Sequence, residues 1–211
     1  LYLKIDTTKG LMPGNVVSAI QDKYGHYWMG MGSRGLSMYN QEKNKSINWS
    51  ARDNATHPRV MSIQEDNHGN LWLGCQDGLW FLKNDKDIEP DFSLKNHCLK
   101  VGTEYLGESA VYITKMMDDS TLLVGNALGY FLIDLKEFYS SNNERCTFKG
   151  IFKENYSNYI GGAVNQNSSF RSSDGCFWLL TDNGLVRHDP SKYVSSGAGR
   201  MVTIDSIRAG G

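Results

Sequence analysis

The stretch Asp66-Asn67-His68-Gly69-Asn70-Leu71-Trp72-Leu73-Gly74 reads as a tight turn feeding a short apolar strand. Asp accepts backbone hydrogen bonds locally, and Gly supplies the positive φ that a tight turn needs. One such stretch describes only a hairpin; its recurrence decides the fold. The same spacing stands upstream as Asp22, Gly25, Trp28 and Gly30. A third copy keeps Gly175 and Trp178, with Ser172 in the Asp place. Between them a worn copy, Asp118 to Gly125, carries Leu123 in the Trp place. Trp28, Trp72, Leu123 and Trp178 follow one another at steps of 44, 51 and 55 residues.

Each copy reads as short strands joined by turns. Val16 to Ile20 and Arg59 to Ile63 are predicted first strands, Tyr27 to Met31 and Leu71 to Cys75 second strands. Gly35 and Gly78 open the next turn, and Leu36 to Tyr39, Leu79 to Leu82, Tyr130 to Ile133 and Leu185 to His188 are predicted third strands. Outer strands are expected around Ser46 to Trp49 and Cys146 to Phe152. The apolar positions of the first strands, Ile20 and Ile63, sit one residue out of step. About four strands per unit of roughly 40–50 residues is the signature of a β-propeller blade. The predicted fold is therefore all-β, with about four four-stranded blades in residues 1–198. The repeat units lie near 11–50, 57–95, 108–150 and 162–195. A sheet with two apolar faces must bury both, so blades pack face to face. Trp28, Trp72, Leu123 and Trp178 are the expected fillings of the joints. Leu1 to Asp6 reads as an outer strand left from a preceding blade, able to staple onto the last one.

Leu11-Met12-Pro13-Gly14-Asn15-Val16-Val17, followed by Asp22, Gly25, Trp28, Gly30 and Gly35-Leu36, resembles the two-component regulator propeller repeat. The tail, Met201 to Gly211, resembles the first strand of the immunoglobulin-like domain that follows the last propeller in that family, and reads equally as a last outer strand. The resemblance implies a partial propeller or a piece of a larger one, typically seven-bladed. It further implies the periplasmic sensor region of a hybrid two-component system. Such a region perceives an oligosaccharide or related nutrient, and its parent protein carries a membrane span and a histidine kinase. Leu1 in place of an initiating Met reads as a fragment or processed product. An open arc of four blades leaves two bare faces, which raises the expectation of pairing with other blades or with a second copy of the chain.

Composition narrows the alternatives. A chain of 211 residues with 40% hydrophobic content can bury a real core. Basic and acidic residues balance at 22 and 23, which makes no electrostatic case for nucleic acid or an anionic membrane. No apolar run is long enough to span a bilayer. Cys75, Cys98, Cys146 and Cys176 include no Cys-x-x-Cys pair and read as strand residues. His26, His57, His68, His97 and His188 offer no metal-ligand spacing, and His26 and His68 read as solvated turn residues. No phosphate loop or nucleophile elbow is present, so neither a cofactor nor a metal is expected. The alternatives to a sensor are a propeller that serves as a protein-interaction platform and a carbohydrate-active propeller enzyme.

Ligand residues follow from topology. In a propeller, the loops entering the innermost strand and those joining second and third strands share one face around the channel mouth. This selects Asn15, Arg34, Arg59, Asp77, Asn126 and Asn183 as candidate ligand-binding residues. Arg and Asp offer planar, charge-assisted hydrogen bonds suited to sugar hydroxyls or carboxylates. Each of the six can equally cap its own turn. Trp49 and Trp80 are candidate sugar platforms or outer-strand packing. Asp22, Gly25, Trp28, Asp66, Gly69, Trp72, Gly175 and Trp178 are assigned to the scaffold.

Overall fold

The computed structural model describes residues 3–51, 59–88, 92–150, 169–181 and 184–189. Their architecture is a series of antiparallel sheets in which strands pair in sequence order. Blade 1 consists of β1 (Ser18–Gln21), β2 (Tyr27–Gly30), β3 (Gly35–Asn40) and β4 (Lys45–Ser50). Blade 2 consists of β5 (Val60–Glu65), β6 (Leu71–Cys75), β7 (Gly78–Leu82) and β8 (Cys98–Val101). Blade 3 consists of β9 (Val111–Met116), β10 (Thr121–Asn126), β11 (Gly129–Asp134) and β12 (Phe148–Gly150). Of blade 4, β13 (Ser169–Arg171), β14 (Phe177–Thr181) and β15 (Gly184–His188) form a three-stranded sheet. The first strands are the innermost: β1 lies beside β5, and β5 beside β9. This is a β-propeller arc, as the repeat predicts. The tail 199–211 lies outside the described residues.

The repeat motif performs two jobs that its spacing alone does not display. Asp22 Oδ1 accepts the backbone N–H of Tyr24 (3.0 Å) and His26 (2.8 Å), closing the turn. Its other oxygen, Oδ2, accepts the indole N–H of Trp28 at 2.8 Å. Asp66 repeats the arrangement: Oδ1 takes His68 and Asn70, and Oδ2 takes Trp72 at 2.8 Å. Ser172 Oγ does the same for Trp178 at 3.0 Å. One carboxylate thus ties the turn to the large ring six residues on. Gly25, Gly69 and Gly175 turn the chain with φ of 85°, 82° and 83°.

The joints are filled as expected for three of the four positions. Trp28 is buried between blades 1 and 2 with Leu36, Val60 and Leu73, and Trp49 stacks on it at 5.7 Å. Trp72 fills the joint of blades 2 and 3 with Phe81 and Phe138. Leu123 lies with Tyr130, Phe177 and Leu179 between blades 3 and 4. Trp178 occupies the face turned away from blade 3. It is only half-buried and stacks at 6.1 Å on Phe170, which is 51% exposed.

The Gly of Trp-x-Gly belongs to the joint rather than to a turn. A β-carbon at Gly74 would stand 2.7 Å from the Val111 carbonyl oxygen of β9, and one at Gly30 would stand 3.0 Å from that of Val60 in β5. Only a residue without a side chain lets the next innermost strand approach this closely. The register also explains Ile20 and Ile63. Ala19 pairs with Met29 as Ile63 pairs with Leu73, so the strands keep step with the Asp and do not slide. Ile20 faces the following blade and Ile63 the preceding one; both faces of a blade are apolar, so the large residue can sit on either.

Two expectations about segments change. Lys4, Ile5 and Asp6 are not in a strand; Asp6 caps a single 3-10 turn over Thr7–Lys9. Ile5, Leu11 and Met12 then cover Met29, Met31 and Tyr39 on the outward face of blade 1. Short helices also appear: α1 (Leu94–His97), α2 (Thr103–Leu106) and α3 (Leu135–Ser140). The last is capped by Asp134 and buries Leu135 and Phe138. Among the described residues no helix is long and apolar enough to cross a membrane.

Blade 3 provides a natural test of the Asp–Trp bond. Six residues before Leu123 stands Met117, so acceptor and donor are both replaced by apolar side chains. Asp66→Met alone leaves the Trp72 N–H and the Tyr139 hydroxyl without their acceptor, at about 1–3 kcal/mol for each buried orphan. The double variant Asp66→Met, Trp72→Leu reproduces the blade 3 pair and is expected to lose less than the sum of the single losses. A double-mutant cycle by chemical denaturation measures this; strict additivity would show that the two side chains are not one unit.

Candidate functional site

The loops selected from topology do share one end of the blades. Gly14, next to Asn15, lies against the stem of Arg34, where a β-carbon at residue 14 would come within 2.7 Å of Cδ. Arg59 Nη1 donates to Gln76 Oε1 at 3.0 Å, beside Asp77. Asn15 and Arg59 are exposed and Arg34 is half-buried. Asp77 accepts the Trp80 indole N–H at 3.1 Å and pairs with Lys100 at 3.4 Å. Asn126 is buried: it accepts from Leu128 N and donates to the Leu106 carbonyl, holding the β10–β11 turn. Asn183 lies outside the described residues. Of the candidate residues, Asn15 and Arg59 are thus exposed, and Arg34 and Asp77 half-buried. Neither indole forms an open platform there: Trp49 is buried in a joint and Trp80 is tied to Asp77.

The opposite end is a polar belt across blades 1 to 3. Lys23 N–H donates to Glu65 Oε1 at 2.9 Å and its ammonium to the His68 carbonyl, joining the turns of blades 1 and 2. Asn67 donates to the Asp119 carbonyl at 3.0 Å, joining blades 2 and 3. The scaffold carboxylates reach across as well. Asp22 Oδ2 accepts Asn84 Nδ2 of blade 2 at 3.0 Å, and Asp66 Oδ2 accepts the Tyr139 hydroxyl of blade 3. Both donors follow the third strand of the next blade. Burial, and then the bond to Asp66, raises the Tyr139 phenol far above its ordinary range. His26 is not a solvated turn residue. It is buried, with Nδ1 3.3 Å from Asp22 Oδ2 and Nε2 3.3 Å from Asn40 Nδ2. The His68 ring lies tilted against Tyr139 with ring centres 3.9 Å apart.

The remaining reactive groups are quiet. All four cysteines are unpaired. Burial pushes the Cys98 and Cys146 thiols up to about 12 and Cys75 well above its ordinary value. These groups are thiols rather than thiolate nucleophiles at neutral pH. Among the described residues no three His, Cys, Asp or Glu side chains gather as a metal site.

Comparison with known proteins follows from this geometry. Residues 55–77, the turn and strands around Trp72, match the two component regulator propeller family. The chain carries a two component regulator propeller repeat. No curated protein matches the sequence. Similar solved structures include the extracellular domain of the putative one component system BT4673 from B. thetaiotaomicron. It matches with a TM-score of 0.59 at 14% identity, over 92% of this chain and 22% of that one. YCF48 from Cyanidioschyzon merolae matches with 0.57 at 14% identity, over 85% and 52%. PorZ, a surface component of the type-IX secretion system of Porphyromonas gingivalis, matches with 0.56 at 13% identity, over 82% and 25%. The chain thus spans between about a fifth and a half of these proteins. At such identities the likeness establishes the propeller fold shared by all three.

The joint of blades 3 and 4 contains a titratable group that the sequence does not reveal as buried. His188 pairs with Phe177 across β14 and β15, is 1% exposed, and neither ring nitrogen has a hydrogen-bond partner among the described residues. Burial lowers its pKa below the ordinary 6.5, with Asp189 acting in the opposite sense. A group whose folded value is depressed contributes stability that is present above the unfolded value and is lost as pH falls through the folded one. Stability should therefore decline below about pH 6.5. His188→Leu, which copies the buried Leu82 at the matching position of blade 2, should remove that part of the decline. Thermal melts across pH 5–8 decide it, and an unchanged slope in the variant would assign the acid loss to other groups.

Proposed function

We propose that the chain is an extracytoplasmic ligand-sensing propeller segment of a bacterial hybrid two-component sensor. Its ligand is an oligosaccharide or related nutrient, and it performs no catalysis of its own. The observation that carries this reading is the two component regulator repeat at residues 55–77 set in a propeller frame. The extracellular domain of BT4673, of similar fold, supports the extracytoplasmic setting. The parent protein would supply the membrane span and the histidine kinase. Asn15, Arg34 and Arg59 provide the contacts: guanidinium groups on one end of adjacent blades offer paired donors to hydroxyl or carboxylate oxygens. A ligand held between loops of blades 1 and 2 acts on their packing. It signals by binding one arrangement of the joint more tightly than another.

The test is a panel of neutral and acidic oligosaccharides, followed by calorimetry and thermal shift. A saccharide that binds should raise the melting temperature and remain chemically unchanged by chromatography. Arg34→Ala and Arg59→Ala should each weaken it by about tenfold, the worth of one charge-assisted contact. Product formation would replace this reading with an enzyme; silence across the panel would favour a protein-interaction platform.

A further inference from the structure

The belt end of the arc contains a cleft of about 400 Å3 at the joint of blades 1 and 2. That size is suited to a small metabolite. Three pieces of chain build it: the β1–β2 turn with Tyr24 and His26, the end of β3 and its turn with Asn40 and Glu42, and the segment after β7 with Lys86 and Asp87. It lies at the opposite end of the blades from Asn15, Arg34 and Arg59.

Its floor is preorganised. Lys43 N–H donates to Asn40 Oδ1 at 2.9 Å, which fixes the amide with Nδ2 toward His26 Nε2. Nε2 must then accept, so the ring hydrogen sits on Nδ1 and points to Asp22 Oδ2. Asp22 in turn holds Trp28 and Asn84. A chain of polar contacts therefore runs from the cleft floor into the joint. These contacts use one donor and one acceptor of the Asn40 amide, leaving one N–H and one lone pair for an occupant. Asn40 is 7% exposed and His26 4%, so both are held rigidly.

The rim decides the chemistry. Lys43 lines the cleft and makes contacts of its own; the other charges are Lys86 and Asp87 from blade 2 and Glu42 from blade 1, all exposed. Among the described residues their side chains form no ion pair with one another. A lone anion would meet Glu42 and Asp87, and a lone cation would meet Lys86. A neutral sugar would form an ion pair with none of these three charges. A molecule that carries both signs close together satisfies them at once. We propose that this cleft binds a free α-amino acid: its carboxylate on Lys86, its ammonium between Glu42 and Asp87, and its side chain against Tyr24. Contacts from both blades then make occupancy tighten the joint.

The test is calorimetry and thermal shift on the whole chain with pooled proteinogenic amino acids. At least one pool should bind and raise the melting temperature. Lys86→Ala and Asp87→Ala remove exposed side chains and should each weaken that binding about tenfold or more, as loss of a charge-assisted contact predicts. The methyl ester and the N-acetyl derivative of the bound amino acid, each lacking one charge, should fail to bind. No response from any pool, binding unaltered in both variants, or equal binding of the derivatives would overturn the proposal. The oligosaccharide panel run on the same two variants keeps the outcomes apart, because a sugar response can survive or fail independently of the amino-acid response.

Discussion

The arc depends on a buried carboxylate that serves two geometries. Asp22 and Asp66 each place one oxygen on turn amides and the other on a buried indole. A carboxylate buried without such donors would cost several kcal/mol; here hydrogen bonds from backbone, indole and the neighbouring blade supply the lost hydration. The arrangement fixes the turn, the rotamer of the ring and the seat of the next blade in a single site. It also explains why blade 3 departs in two places together. With Met117 in the Asp position, a Trp at 123 would bury an indole N–H with no acceptor, and Leu123 carries none to satisfy.

A second constraint is closeness. Gly30 and Gly74 have ordinary backbone conformations, and what they provide is the absence of a β-carbon where the next innermost strand passes. The Asp and Gly of Asp-x-x-Gly-x-x-Trp-x-Gly that look like a turn, and the Trp and Gly that look like a strand, are thus one device for stacking sheets. The two ends of the arc differ in how they use it. Blade 1 has its outward face covered by Ile5, Leu11 and Met12. Blade 4 presents Trp178, Phe170 and Leu185, the kind of surface that is closed at every other joint.

The blades were legible in the sequence because their joints recur at one residue per unit and their turns carry Gly. Leu71–Cys75 is found as read, and the other strands read from the sequence differ by a residue or two at their ends, whereas β8 (Cys98–Val101) and β9 (Val111–Met116) were not read there. What was hidden is long-range. Asn84 and Tyr139 reach carboxylates 62 and 73 residues away, and nothing local marks them as donors. Helix α3 is too short for a helical period, although Asp134 and Glu137 have cap spacing and Leu135 and Phe138 are three apart. Among the candidate ligand residues, topology placed Arg34 and Arg59 at the same end, but it could not distinguish an exposed Arg59 from a buried Asn126. That difference arises in whether a side chain meets a carbonyl of its own blade, as Asn126 meets Leu106.

Stability in a stack of repeats is approximately a sum of unit and nearest-neighbour terms, so the joints need not be equally firm. Joints 1–2 and 2–3 each hold an Asp–Trp unit, a donor from the next blade and a link between turns. Joint 3–4 has Met117 and Leu123 in place of that unit, a buried His188 with no partner among the described residues, and the Lys115 ammonium on the Ser169 carbonyl, desolvated enough that its pKa is lowered. Among the described residues, opening at joint 3–4 breaks the fewest specific bonds. On the proposal above, a ligand that tightens joint 1–2 acts on a joint that already holds an Asp–Trp unit and a donor from the next blade.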